Sequence, residues 1–379
     1  MLEVTYDTSN NRGDGRGNQT HNTNQFMHQK SDNRLRRKNG GIELTKTRYH
    51  HFALLLVVAL LTGFVVTDVS SVFAAAKAKK DYGGIKFITI ASGTGDWGLI
   101  GGKIADIINR EIPGITATSI PGGATVNISR IERGEAQIGL VHSFLPYLAV
   151  KGQTPYEEPH KKLRMMISLW KGYAHAVVPK NSNIQSVADL VKAPYDVWNS
   201  KPGLGSQILN NAIFEAYGFA PEDIRKIGGV VHEIGLSDGA NMMKDRRMDF
   251  LVFPVVYPYS MLIDIDTTVG MKLLPIDGEP RERLLKLLPG LVADSIPKGA
   301  YRDLKQDVPT VANFHQLACS SDLPDELVYD IMEAIVRNLP NLRDLSDSLK
   351  AISIDNALLG MEAEIHPGAV KFYKAEGMM

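Results

Sequence analysis

Seven residues, Ser92-Gly93-Thr94-Gly95-Asp96-Trp97-Gly98, combine small side chains, hydroxyls and a carboxylate where a strand gives way to a helix. A turn of this kind leaves the backbone N–H groups of a helix N-terminus uncovered, and those donors suit an anion. The glycines match Gly-x-Gly-x-x-Gly, the spacing of a dinucleotide-binding loop. The rest of that signature is missing. A ribose-holding acid is required near the end of the second strand, and Thr116 to Gly123 contain neither Asp nor Glu. Asp96 would also set a negative charge inside a pyrophosphate loop, although it could instead cap the helix. Gly98 to Lys103 fails the Walker A spacing and lacks its final hydroxyl residue. His-Glu-x-x-His is absent, and the lone Cys319 rules out an internal disulfide or a cysteine metal site. What remains is anion binding without catalysis: no enzyme, no cofactor and no metal are expected.

The elements that must position this turn alternate between strand and helix, the pattern of an α/β fold. Residues 85–91 are rich in β-branched side chains and predict a strand, while Ile100, Ile104, Ile107 and Ile108 share one face of a following helix. A second strand, about 115–120, ends in Pro121-Gly122-Gly123-Ala124, with a helix to Arg133. A third strand, 137–141, ends at His142-Ser143. Strand-like runs follow at 163–169 and 174–178, then a short helix at 186–190 and a second glycine-rich turn, Lys201-Pro202-Gly203-Leu204-Gly205-Ser206, opening a helix to Tyr217. Further strands are expected at 224–231, 249–254, 271–276 and 310–318, with helices at 238–246, 324–338, 342–351 and 355–360. Two similar blocks, each opening on a strand and a glycine-rich turn, predict two lobes whose strand ends face a shared cleft. The expected division is 84–178 plus 271–379 for the first lobe and 179–270 for the second.

Length and composition agree. The chain has 379 residues, 44% of them hydrophobic and 22% charged, suited to two lobes rather than one small core. Residues 1–50, rich in Asn, Gly, His and Arg, read as a disordered leader, with Met27 an alternative start. Residues 52–66 are nearly all apolar but shorter than the ~20 needed to span a bilayer. Basic residues precede this run and Ala74-Ala75-Ala76 follows it, so 51–76 predicts a secretory signal peptide, or an anchor if left uncleaved. Cleavage after Ala76 leaves a mildly acidic body, which argues against nucleic acid. A periplasmic monomer is expected.

The mature chain resembles the TAXI family of solute-binding proteins that serve tripartite ATP-independent periplasmic (TRAP) transporters. The resemblance covers about residues 84–379. It rests on pieces that stand in order: the first glycine-rich turn through Gly101-Gly102, Pro121-Gly122-Gly123-Ala124 with Asn127, the run from Gly134 to Val141, Ser186-Val187-Ala188-Asp189-Leu190, Gly203-Leu204-Gly205-Ser206, Leu274-Pro275-Ile276-Asp277-Gly278, Asp307-Val308-Pro309-Thr310-Val311 and His366-Pro367-Gly368-Ala369. It implies a two-lobed, type II-like periplasmic-binding-protein fold, a ligand cleft for a small organic anion such as a dicarboxylate or acidic amino acid, and membrane transporter subunits as partners. Within that frame, Ser92, Gly93, Thr94 and Gly95 should contact ligand from the first lobe, with backbone donors at Gly123 and Ala124 and strand-end groups at His142 and Ser143. Gly203, Gly205 and Ser206 should meet its other end. Phe253 and Val255 should line a wall, and Trp170 with Tyr173 should supply an aromatic lid.

The sequence also departs from the family. Relatives commonly carry Gly-Thr-Tyr-Tyr-Pro where this chain has Asp96-Trp97-Gly98-Leu99. A tyrosine hydroxyl is thereby lost, and Asp96 and Trp97 become candidates for ligand preference, Asp96 by holding a ligand amine. An extracytoplasmic sensor presenting its closed form to a membrane receptor is the alternative reading, and an exported enzyme using the same cleft is another.

Overall fold

In the computed structural model, which describes residues 80–379, strand β1 (Phe87–Ala91) and helix α1 (Asp96–Glu111) form where the isoleucines place them. Ile100, Ile104, Ile107 and Ile108 are all fully buried on one face of α1. The leader and the apolar segment with its cleavage site lie outside the described residues. Strand β2 (Thr116–Ile120), α2 (Ala124–Glu132), β3 (Ile138–His142) and α3 (Phe144–Lys151) complete the first block. β1 lies between β2 and β3, parallel to both. Asn127, in the first turn of α2, ties this block together. Its Nδ2 donates to Ser92 O (2.7 Å) and Leu140 O (2.8 Å), and its Oδ1 accepts from Gly123 N (3.2 Å).

The chain then enters β4 (Leu163–Pro179), a 17-residue strand. Sequence reading gives two strands here, divided at Trp170-Lys171-Gly172-Tyr173. The structure runs straight through because those four residues pair with the last long strand. Beyond it come β5 (Asp196–Trp198), α4 (Gly205–Ala216), α5 (Pro221–Lys226), β6 (Val230–His232), α6 (Leu236–Lys244), β7 (Leu251–Val255), α7 (Ser260–Thr268) and β8 (Met271–Leu274). The expected strand at 224–231 shrinks to three residues. Pro221 opens α5 instead, and Asp223 Oδ2 accepts from Ala220 N (2.9 Å), a side-chain cap that favours a helix start.

The last part holds α8 (Gly278–Leu287), β9 (Val292–Ile296), β10 (Val308–Ser320), α9 (Asp325–Arg337), α10 (Leu339–Arg343) and α11 (Pro367–Ala375). The helices expected at 342–351 and 355–360 are the short α10 and tight turns at Ser348–Ala351 and Ile354–Asn356.

β4 and β10 organise the fold. They pair antiparallel from Ala312↔Tyr173 to Ser320↔Leu163. The first half of β4 thus belongs to the sheet β2-β1-β3-β10-β4, while its second half pairs with β7 on one edge and β8 on the other. β7 leads on through Phe250 to β5 and β6. Two α/β lobes therefore share two crossing strands. Both strands are buried almost throughout, as expected for strands covered on both faces. A separate core gathers Trp198, Met243, Phe253, Leu262, Met271, Ile296 and Tyr301 in the second lobe. Among the described residues, no helix is long and apolar enough to cross a membrane.

Candidate functional site

The floor of the site is a row of rings across three neighbouring strands. His315 on β10 stands opposite His142 of β3 and opposite Trp170 of β4. Trp170 stacks on His315 (centroids 4.4 Å apart, planes 7° apart), and His142 meets His315 edge-on at 4.9 Å. Trp97, in the first turn of α1, closes over both imidazoles at 4.8 and 5.6 Å. Its Nε1–H donates to His315 Nδ1 at 2.8 Å. His142 is stacked on Phe144, and its Nδ1 accepts from Asn313 Nδ2 at 2.9 Å. Burial holds His142 down to about 3. Burial, with His142 alongside, holds His315 well below its ordinary value. Both imidazoles are neutral at physiological pH, so the floor is polar but uncharged.

Above this floor lies a cavity of about 700 Å³, within the range of small-molecule sites. Thr94, Gly95, Asp96 and Trp97 line it from the first glycine-rich turn, Trp170 and His315 from the floor, and Pro254, Val255 and Val256 from the end of β7. Its charged lining residues are Asp96, Lys201 and Asp238. Asp96 accepts a hydrogen bond from Ser346 Oγ (2.9 Å). A smaller cavity of about 170 Å³ adjoins it, lined by Gly93, Gly123, Ala124, His142, Gly205 and Ser206, with Thr94, Trp97, Gly122 and Leu204 bordering both.

The remaining sequence candidates lie elsewhere. Ser92 is buried, and its Oγ pairs with Ser119 Oγ at 2.9 Å, so it braces β1 against β2. Ser143 Oγ donates to Gly290 O (2.6 Å) and accepts from Phe314 N (2.9 Å), facing away from the cavity. Phe253 lies in the second-lobe core, against Trp198 and Tyr259. Gly203 lines neither cavity; its carbonyl accepts from the Thr125 hydroxyl. Trp170 and Tyr173 form no lid. Three positions apart on one strand, they point to opposite faces. Trp170 is buried in the floor, and Tyr173 lines a separate cavity of about 370 Å³ with Lys171 and Tyr257.

The second glycine-rich turn differs most from expectation. It touches the first lobe instead of standing off across a ligand. Leu204 rests on Gly123, and a Cβ on Gly205 would lie 2.4 Å from His142 Cδ2 and 3.4 Å from Ala124 Cβ. Only glycine permits this approach.

Sequence reading missed the turn Gly235-Leu236-Ser237-Asp238 at the start of α6, which lines the cavity along with Tyr259, Met261 and Ser348. Its signal was present: a glycine after a short strand, then a hydroxyl and an acid opening a helix. His315 was missed too, although Asn313, His315 and Gln316 are conspicuous polar residues in the apolar run of β10. Among the described residues, no group of three or more His, Cys, Asp or Glu side chains is placed to hold a metal ion.

The sequence pattern of the NMT1-like family matches residues 88–377, nearly the whole described chain. The chain belongs to the NMT1-like family. Solved structures resembling this NMT1-like chain include a TctC solute-binding protein from Polaromonas, 14% identical, with 79% of this chain and 100% of that one covered at a TM-score of 0.46. The periplasmic binding protein BugD is 11% identical, with 77% and 98% covered at 0.46. A histidine kinase sensor domain with similarity to periplasmic binding proteins is 11% identical, with 71% and 97% covered at 0.41.

Proposed function

We propose that this chain is an extracytoplasmic solute-binding protein that holds a small carboxylate-bearing solute between its lobes and delivers it to membrane transporter subunits of the TRAP type. It acts as a TAXI-like member of its family, as a monomer, in the periplasm, exported by the segment 51–76, and it performs no chemistry. The observation that carries this reading is the cavity of about 700 Å³ at the crossing of β4 and β10, bordered by the N-termini of α1, α6 and α7. Helix N-termini favour a carboxylate.

The charges narrow the solute. Among the described residues, Lys201 is the single cation in the lining, and no arginine lines it to grip a second carboxylate. Asp96 and Asp238 suit an ammonium group. An amino acid therefore fits the lining better than a dicarboxylate. The packing of Met271, Ile296 and Tyr301 against the second-lobe core supports extending that lobe beyond 179–270, to about residue 304, and leaving 84–178 with the C-terminal part as the first.

A thermal-shift screen of the mature protein from Lys77 against carboxylates and amino acids tests the reading. A solute that binds only the folded state must raise the melting temperature by mass action. If no member of either class raises it, the proposal is wrong.

A further inference from the structure

The charges around the main cavity are unevenly placed. Lys201 and Asp238 are exposed and both lie close to Gly235, where a Cβ would be 3.1 Å from Asp238 Oδ2 and 3.8 Å from Lys201 Cε. These two rim charges largely offset one another. Asp96 is half-buried beside Trp97, and among the described residues no cation pairs with it. Ser346 Oγ donates to its Oδ1 at 2.9 Å, and its Oδ2 accepts no hydrogen bond from a described residue. A half-buried carboxylate without a cation is costly.

Asp96 also decides what its helix end can take. It stands in the first turn of α1, so the anion preference of that N-terminus is met by the chain's own acid. Asp238 does the same for α6, whereas α7 has no acid in its first turn. A solute carboxylate is thereby steered away from Asp96, and the group that Asp96 lacks is a cation.

Tyr259 lines the same cavity from the second lobe. Its backbone is fixed: its carbonyl accepts from Leu262 N and Ile263 N at 3.0 Å, and its N–H donates to Tyr301 Oη at 3.2 Å. Its ring packs against the second-lobe core and against the core that holds the α1 isoleucines. Its hydroxyl has no hydrogen-bond partner among the described residues. Burial first, and then the Asp96 charge, hold that hydroxyl above its ordinary pKa. The phenol therefore stays neutral, feels Asp96 across the cavity, and has a lone pair to offer.

We propose that Asp96 from the first lobe and Tyr259 from the second share one ammonium group of the solute, so that a protonated amine links the lobes. This rests on the solute-binding reading above and deepens it. The solute is an acid that carries an amine, with its ammonium at Asp96 and its body against Leu236, Val255, Val256 and Met261. An ammonium has three donors, enough for Asp96 Oδ2 and Tyr259 Oη together. A hydroxyl in its place has one proton and no charge, and leaves the carboxylate without its counter-ion.

The test titrates six probes into the mature protein by calorimetry, in pairs that differ only in carrying an ammonium or a hydroxyl. The pairs are L-leucine and L-2-hydroxyisocaproate, L-phenylalanine and L-3-phenyllactate, and L-glutamate and L-2-hydroxyglutarate. In at least one pair the amino acid should bind about 30-fold or more tightly than its hydroxy acid. Asp96→Asn, which can still accept from Ser346, should erase most of that preference. Tyr259→Phe, which keeps the ring between the cores, should weaken the amino acid about 10-fold and change the hydroxy acid little, as for a hydrogen bond to a charged group. Thermal unfolding without probe establishes that each variant is folded. The ammonium subsite is refuted, and solute binding stands, under any of three results: no pair shows the preference, it survives Asp96→Asn, or Tyr259→Phe leaves amino-acid affinity unchanged. Loss of the preference in Asp238→Asn but not in Asp96→Asn would assign the ammonium to the rim and refute the subsite too. If none of the six binds, the subsite is likewise refuted; the broader screen then decides the solute-binding reading separately.

Discussion

Gly205→Ala is the most direct probe of how the two lobes meet. The added Cβ would sit 2.4 Å from His142 Cδ2, well inside the ordinary contact distance of about 3.5–4.0 Å between carbons. His142 has little freedom to yield. It is stacked on Phe144, bordered by Trp97 and His315, and hydrogen-bonded to Asn313. The second-lobe turn must therefore back away by about 1 Å or more to reach normal contact. Overpacking of this kind costs about 1–3 kcal/mol. That cost falls on the contact between lobes rather than on either lobe, because Gly205 is the first residue of α4, a position that alanine also accepts. The melting temperature of the unliganded variant should change by a few degrees at most, while solute affinity falls about 5- to 150-fold. Calorimetric titration beside thermal unfolding separates the two effects. In a double-mutant cycle, His142→Ala should return much of the affinity lost to Gly205→Ala, since it removes the clashing ring. Unchanged affinity in Gly205→Ala, or a collapse of unliganded stability, would show that this contact does not govern closure.

Two further outcomes follow from buried polar groups. Asn127→Ala strips three hydrogen bonds from the junction of β1, β3 and the Gly122-Gly123 turn. It should cost about 3 kcal/mol in urea unfolding, and a loss below about 1 kcal/mol would contradict the clamp. Acid should destabilise the protein through its buried histidines. Burial lowers His142 to about 3, His175 to about 4 and His315 well below its ordinary value. The unfolded chain takes up protons near pH 6.5 while the folded chain does not, so stability is fully present above that pH. It is lost as pH falls toward about 4, by up to about 1.4 kcal/mol per pH unit for each histidine. His175→Gln should flatten that slope, and an unchanged slope would remove His175 from the account.

Local pattern carried much of the fold into view. The isoleucine spacing of α1 and the β-branched run of β1 settle their own structure, because each buries one face against a neighbour. Legibility failed where long-range pairing decides. Trp170-Lys171-Gly172-Tyr173 has weak strand character alone, and only β10, well over 100 residues later, completes it. With β4 divided in two, the opposite facing of Trp170 and Tyr173 was hidden as well. The site shows the same limit. The turn at Thr94–Trp97 was recognisable because glycine spacing is local, whereas the role of His315 depends on Trp97 arriving from a distant helix to fix its proton. Ser92, Ser143 and Phe253 have the right types at the right strand ends, but their atoms are spent on internal bracing.

The sharing of β4 and β10 also fixes what can be separated. In many two-part proteins a linker lets each part be produced, swapped or inherited alone. Here a cut near Gly172 or Ala312 would sever a continuous strand, leaving raw edges on both fragments where backbone donors and acceptors had been paired. Neither lobe can then be lifted out with its strands complete. Recombination that exchanged one of them would have to carry both crossing strands along.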